Sequence, residues 1–187
     1  MQSGKTQPFI SIRSVRDALD SMLYGAKSTS PVSNPLLYLL LIEVRLLNPD
    51  LPDTQIAREH TLNHYLANCI TEQYVHVRQS NSLDFSTQES LATVHSRIIS
   101  ERGFPELLAW SWLYHHYVRV DLAIHAEMFC SLADLNERTL RRYQQHGIRR
   151  LTARIVDDER AARRDNRQRR LLNVVAAHIP QELLGER

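Results

Sequence analysis

HAEMFCSLADLNERTLRRYQQHGIRRL, residues 125–151, sets a short helix, a tight turn and a second helix in immediate succession. Asn136 stands where an N-cap is needed, its side-chain oxygen able to accept one of the backbone N–H groups that a helix leaves unpaired in its first turn. Beyond it, Leu140, Tyr143, Ile148, Leu151 and Ile155 gather on one side at 100° per residue, while Arg138, Arg142, Gln145 and Arg149 gather on the opposite side. One side is made to pack; the other meets solvent or a polyanion. The spacing predicts an all-α protein, a helical bundle with a C-terminal helix-turn-helix and a long basic terminal helix.

The rest of the chain agrees with that class. Five glycines in 187 residues are few for a sheet protein with tight turns, and no segment alternates with period two. Ser14, with Asp17 three residues on, opens a first helix whose apolar stripe is Val15, Ala18, Leu19, Met22 and Leu23, and Gly25 ends it. STSPVSNP (28–35) is loop by composition, and residues 36–47 read as one buried helix stopped by Asn48-Pro49 and Pro52. Asp53 caps a helix to about Arg78 with Ile56, Leu62, Tyr65, Leu66, Cys69 and Ile70 at helical spacing, and residues 79–85 are loop. Ser86 with Glu89 forms a second capping box ahead of Leu91, Val94, Ile98 and Ile99, and Gly103 closes that helix. An aromatic helix at 106–118, a helix at 124–133, a turn at 134–136 and a basic helix to about Ala177, interrupted near Gly147, complete the chain. The expected organisation is an arm at 1–13, an N-terminal bundle at 14–103, a DNA-binding region at 104–178 and a tail or linker at 179–187.

A net charge of +2 conceals an asymmetry. Residues 136–170 hold twelve arginines against five acids, a net of +7, and the remainder is −5. Such a split points to a polyanion, a membrane surface or an acidic partner. At 43% hydrophobic the chain can bury a core. Its longest apolar run, Leu36 to Ile42, is too short to span a bilayer, so no membrane association is expected. Cys69 and Cys130 form no CxxC pair, which disfavours a disulfide scaffold or a cysteine-based zinc module and makes a reducing cytoplasm the expected setting.

The basic stripe carries the functional reading. Guanidinium forks suit guanine edges and phosphates, and a side-chain amide suits adenine. Arg138, Thr139, Arg142, Gln145 and Arg149 are the groove candidates, with Arg141 and Arg150 beside them for phosphate. The competing reading is a solvated face on an ordinary amphipathic helix. RAARRDNRQRR (160–170) extends the charge, although Asp157, Asp158 and Glu159 interrupt it and argue against one continuous strip. Other signals lead nowhere. Gly4-Lys5-Thr6 lacks the glycine-rich loop and strand of a phosphate site, and His60 and His64 lack the glutamate of the zinc-protease helix. Trp110, Trp112, Tyr114 and Tyr117 fit a core or a partner groove better than a base-stacking platform, and no catalytic set is visible. The expectation is no enzyme, no metal and no cofactor.

SLADLNERTLRRYQQHGIRRLTARI (131–155) resembles the helix-turn-helix of bacterial transcription regulators with a long recognition helix, related to the DNA-binding region of sigma factors. The likeness covers about Ile124 to Asp157, and departs from the pattern at Met128-Phe129-Cys130 and at Gly147. It implies duplex DNA as partner; if DNA binds, two copies on a palindrome would imply a homodimer, although no heptad seam predicts one. HIPQELLGER (178–187) is similar to the linker before the nucleotide-binding domain of signal-transduction ATPases, with Gly185-Glu186-Arg187 in place of Gly-Arg-Glu. That likeness implies an alternative, a non-catalytic protein-interaction or scaffold module serving as the adaptor of an ATPase.

Overall fold

Helix boundaries follow from where the short polar residues can cap. The computed structural model describes residues 10–24, 34–46, 53–85 and 90–177, with side chains as far as 174. Helix α1 spans Ile12–Tyr24, α2 Leu40–Leu46, α3 Gln55–Ser80, α4 Leu91–Ser100, α5 Pro105–Leu113, α6 Ala126–Ala133 and α7 Glu137–Ala177. Among the described residues there is no strand, and the protein is all-α.

Several caps differ from expectation by a few residues. Ser11, not Ser14, opens α1: its Oγ accepts from the Ser14 N–H at 3.0 Å, while Ser14 turns inward and donates to the Ser11 carbonyl at 2.8 Å. Asp17 faces Arg13 at 3.9 Å instead. Thr54 rather than Asp53 caps α3, accepting from the Ala57 N–H at 3.1 Å, because Asp53 is held by Arg58 at 2.6 Å. Ser90 caps α4 through the Thr93 N–H at 3.2 Å. The Ser86–Glu89 box, Gly25, Asn48 to Pro52, the phosphate-loop-like residues 4–6 and the tail from 178 lie outside the described residues. Gly103 sits beyond the end of α4 with φ +86, the left-handed backbone that glycine tolerates without penalty.

Larger corrections concern continuity. The helix expected over 36–47 is not continuous across its described residues, 36–46. A 3-10 turn at Pro35–Tyr38 gives way to α2 through Leu39, which is extended at φ −67, ψ 144. The aromatic helix changes pitch: after α5, Tyr114–Val118 is π-helical, with the Arg119 N–H reaching back five residues to the Tyr114 carbonyl at 2.9 Å. That wider turn keeps Tyr114, His115 and Tyr117 buried together, and His116 stacks on Trp112 at 4.4 Å. A 3-10 turn at Val120–Leu122 separates it from α6, so the expected helical start at Ile124 shifts to Ala126. Conversely, α7 runs unbroken through Gly147.

Gly147 has a packing role. A Cβ there would come within 2.8 Å of Leu113 Cδ1 and 3.3 Å of the Ala109 carbonyl, so its absence lets α5 and α7 approach closely. Around that crossing lies one core cluster. It includes Val15 and Leu19 of α1, Leu41 and Ile42 of α2, Leu66, Ile70 and Tyr74 of α3, Leu107 and Leu113 of α5, Phe129 of α6, and Leu140, Ile148, Leu151 and Ile155 of α7. The 14–103 and 104–178 segments thus share a single core. Ile56, expected in the α3 stripe, is exposed, as are Leu91 and Ile99 of α4.

Gly147→Val should overpack the crossing and cost about 1–3 kcal/mol. A urea midpoint indistinguishable from wild type would show that the close approach is not needed.

Candidate nucleic-acid interface

Sequence places a capped helix after a tight turn, and the local hydrogen bonds show how that turn is made. Helix α6 ends where Asp134 adopts the left-handed region at φ 56, ψ 51 and the Leu135 N–H returns to the Cys130 carbonyl at 2.9 Å. Asn136 then caps α7, its Oδ1 accepting from the Thr139 N–H at 2.8 Å. Phe129, fully buried and edge-on to Trp112 at 5.2 Å, fixes α6 against the aromatic core.

The inner side of α7 is the apolar seam of Leu140, Ile148, Leu151 and Ile155, all buried; Tyr143 is half-buried at its edge. Arg138, Arg142, Gln145 and Arg149 are all exposed on the other side. Among the described residues none of those three arginines forms an ion pair, and the Arg142 guanidinium lies 5.7 Å from the Tyr143 ring centroid. The remaining predicted residues sit off this stripe. Thr139 is half-buried at the cap. Arg141 binds Glu137 of its own first turn at 3.1 Å, and Arg150 reaches across to Glu106 of α5 at 2.8 Å. Both pairs are well exposed, so water and salt screen them and a phosphate could displace either carboxylate at little cost.

Two polar assemblies were not legible in the sequence. A groove of about 490 Å³ lies between α2, α3 and α7. Tyr65 donates to Asp158 at 2.7 Å, Arg154 to Glu72 at 2.5 Å, and Arg45 lies 4.7 Å over the Tyr65 ring, so the charges of the groove already satisfy one another. Cys69 lies at its floor, and burial pushes its thiol up, away from reactivity. His60 and His64 line the same groove; among the described residues no group of three or more His, Cys, Asp or Glu could hold a metal ion.

The second assembly is buried beneath the π-helical turn. Arg78 pairs with Glu101, Tyr74 donates to the same carboxylate at 2.5 Å, and Arg78 also donates twice to the Asp84 carbonyl, at 2.9 and 2.7 Å. His115 packs edge-on to Tyr74 at 5.9 Å. Burial, reinforced by the charges of Arg97, Arg119 and Arg78, holds its imidazole down to about 3. Nothing in this assembly reaches the surface stripe of α7; it is a structural network.

No family model, curated protein or solved structure matches the chain. Among the described residues no helix is long and apolar enough to cross a membrane.

The depressed His115 has a stability consequence with a definite sign. Its folded value lies below the ordinary 6.5, so its contribution is complete above that pH and is lost as pH falls from 6.5 toward 3. Denaturant midpoints should decline across this window by the equivalent of about 1.4 kcal/mol per pH unit from this group. His115→Gln, which cannot protonate, should flatten the decline, and an unchanged slope in that variant would show that His115 is not its source.

Proposed function

We propose that this chain is a DNA-binding protein or module, a transcription regulator reading duplex DNA through the helix at 136–150, the start of α7 with its Asn136 cap. The observation that carries the reading is the exposed stripe of Arg138, Arg142, Gln145 and Arg149, without an ion pair among the described residues, opposite a buried apolar seam, on a helix capped by Asn136 and entered through a three-residue turn. A major groove about 12 Å wide admits one helix, and such a helix must pack with one face while offering long donors with the other. Arginine forks suit guanine O6 and N7, and Gln145 suits adenine N6 and N7. Arg141 and Arg150, flanking the stripe, suit the phosphates on either side. No catalytic group, metal or cofactor enters this reading.

Arg138→Glu with Arg142→Glu should abolish binding to a random duplex at low salt, by gel shift or fluorescence anisotropy. Both positions are exposed, so the helical circular dichroism should not change. With about five arginines on phosphates, log K should fall with log[salt] at a slope near −4 to −5. Undiminished affinity in the double variant would sink the assignment.

A second reading, the protein-interaction adaptor, is favoured by one observation. Leu171 and Leu172 stand 67% and 60% exposed on the last turns of α7, where an apolar anchor would serve a groove on another protein. That partner is a second copy, using its acidic segments, or an ATPase associated with the 178–187 segment. Sedimentation distinguishes the self-associating form: concentration-dependent assembly that Leu171→Asp with Leu172→Asp removes would support it. A monomer at all concentrations that still shifts duplex would favour DNA.

A further inference from the structure

Asp157, Asp158 and Glu159 divide the basic sequence of α7 into two blocks, and along the chain they break any single positive strip. In three dimensions they leave it almost intact. Glu159 is buried, its two oxygens accepting from the Leu40 and Leu41 N–H groups at 3.2 and 2.9 Å. Asp158 faces α3, accepting from Tyr65 at 2.7 Å. Asp158 keeps part of its side chain at the surface of the groove, and Asp157 is the most exposed of the three, beside Arg160 at 3.2 Å.

With two acids turned into the bundle, Arg160, Arg164 and Arg167 rejoin the earlier stripe. At 100° per residue these three and Arg138, Arg142, Gln145 and Arg149 lie within a sector of about 100°. All seven are exposed, and Leu140, Ile148, Leu151 and Ile155 lie on the far side. From Arg138 to Arg167 the face runs about 44 Å at 1.5 Å per residue. Arg163 is not part of it, being drawn back to Glu159 at 2.7 Å.

The two groups of the face differ in chemistry. The first combines arginines with Gln145 and can discriminate bases. The second offers arginines alone, suited to phosphate oxygens and blind to sequence. Their centres stand about 30 Å apart along a straight rod, whereas a groove winds fully around the duplex in roughly 34 Å. Both groups therefore cannot occupy one stretch of groove, and the second must meet the sugar-phosphate backbone outside it.

We infer that Arg160, Arg164 and Arg167 form a sequence-independent clamp for the phosphates of duplex flanking the recognition site. The inference rests on the DNA reading of residues 136–150. Measured along the duplex axis at about 3.4 Å per base pair, the full face spans at most roughly 13 base pairs.

The test uses the full chain with duplexes of about 8, 14 and 20 base pairs that share one central sequence. Wild-type affinity should rise at least tenfold between the shortest duplex and the middle one. Arg160→Gln, Arg164→Gln and Arg167→Gln together should reduce that rise to less than threefold, make the salt slope shallower by about 2 to 3, and leave preference among central sequences unchanged. Arg13→Gln with Arg16→Gln, exposed residues of α1, controls for net charge and should change little. A triple variant that tracks wild type at every length and salt overturns the clamp, as does a control that weakens binding equally per charge removed. If Arg138→Glu with Arg142→Glu abolishes binding while the triple variant is silent, only the clamp falls. A wild-type chain that binds none of the duplexes removes both.

Discussion

The carboxylate of Glu159 holds together parts of the chain that local sequence would leave apart. Leu39 breaks the helical path after the 3-10 turn, and α2 restarts at Leu40 with its first amide groups lacking partners inside the helix. Those amides find their acceptor on α7, in a buried side chain that also receives Arg163. A carboxylate at a helix N-terminus is favoured by the amide dipoles as well as by the hydrogen bonds, and here burial shields both from water. Twelve residues earlier, Gly147 lets the same helix press against Ala109 and Leu113 of α5. Two fixed points on different sides of a 41-residue helix determine its roll as well as its position. The roll in turn decides which arginines face solvent.

That dependence explains what could be read along the chain and what could not. The all-α class and the turn at 134–136 follow from periodicity, the scarcity of glycine and the Asn136 cap, all of which act within a few residues. Ser14 and Asp53 misled because each sits beside another residue able to cap, and the choice falls to the side chain that packing leaves free: Ser14 is turned inward and Asp53 is engaged by Arg58. The single helix expected at 36–47 failed for a longer-range reason. An apolar run does not reveal that a carboxylate more than a hundred positions away will cap a second start within it. Glycine is disfavoured by about 1 kcal/mol in a helix, so an interruption near Gly147 is what the chain alone suggests; the close approach of α5 that a Cβ would block is visible only in three dimensions.

The buried network of Arg78, Glu101, Tyr74 and His115 was equally hidden, since its members come from α3, the end of α4 and the π-helical turn. Breaking such a pair is costly, whereas an apolar replacement of similar volume can be neutral, so its presence argues more for a specified arrangement than for added stability. Its Tyr74 stacks on Tyr114 and meets His115 edge-on, while α6 leans on the aromatic residues of α5 by a separate contact, Phe129 against Trp112.

Net charge turns out to be a poor guide to the basic segment. Of its twelve arginines, Arg141, Arg150, Arg154, Arg160 and Arg163 have carboxylate partners within the bundle or on their own helix, Arg160 through the exposed Asp157. Arg138, Arg142, Arg149, Arg160, Arg164 and Arg167 share the outward face. Of the five acids, Glu137, Asp157 and Asp165 stay exposed, whereas Asp158, turned to Tyr65, and the buried Glu159 lower the total more than they lower the charge that a partner on that face would meet at close range. Two local charges turned inward are worth more to the surface than their sum in the sequence suggests, because a partner in contact responds to the nearest charges, while those behind the helix are already neutralised by their own partners. The segment therefore presents a more uniform positive edge than its sequence, read residue by residue, would allow.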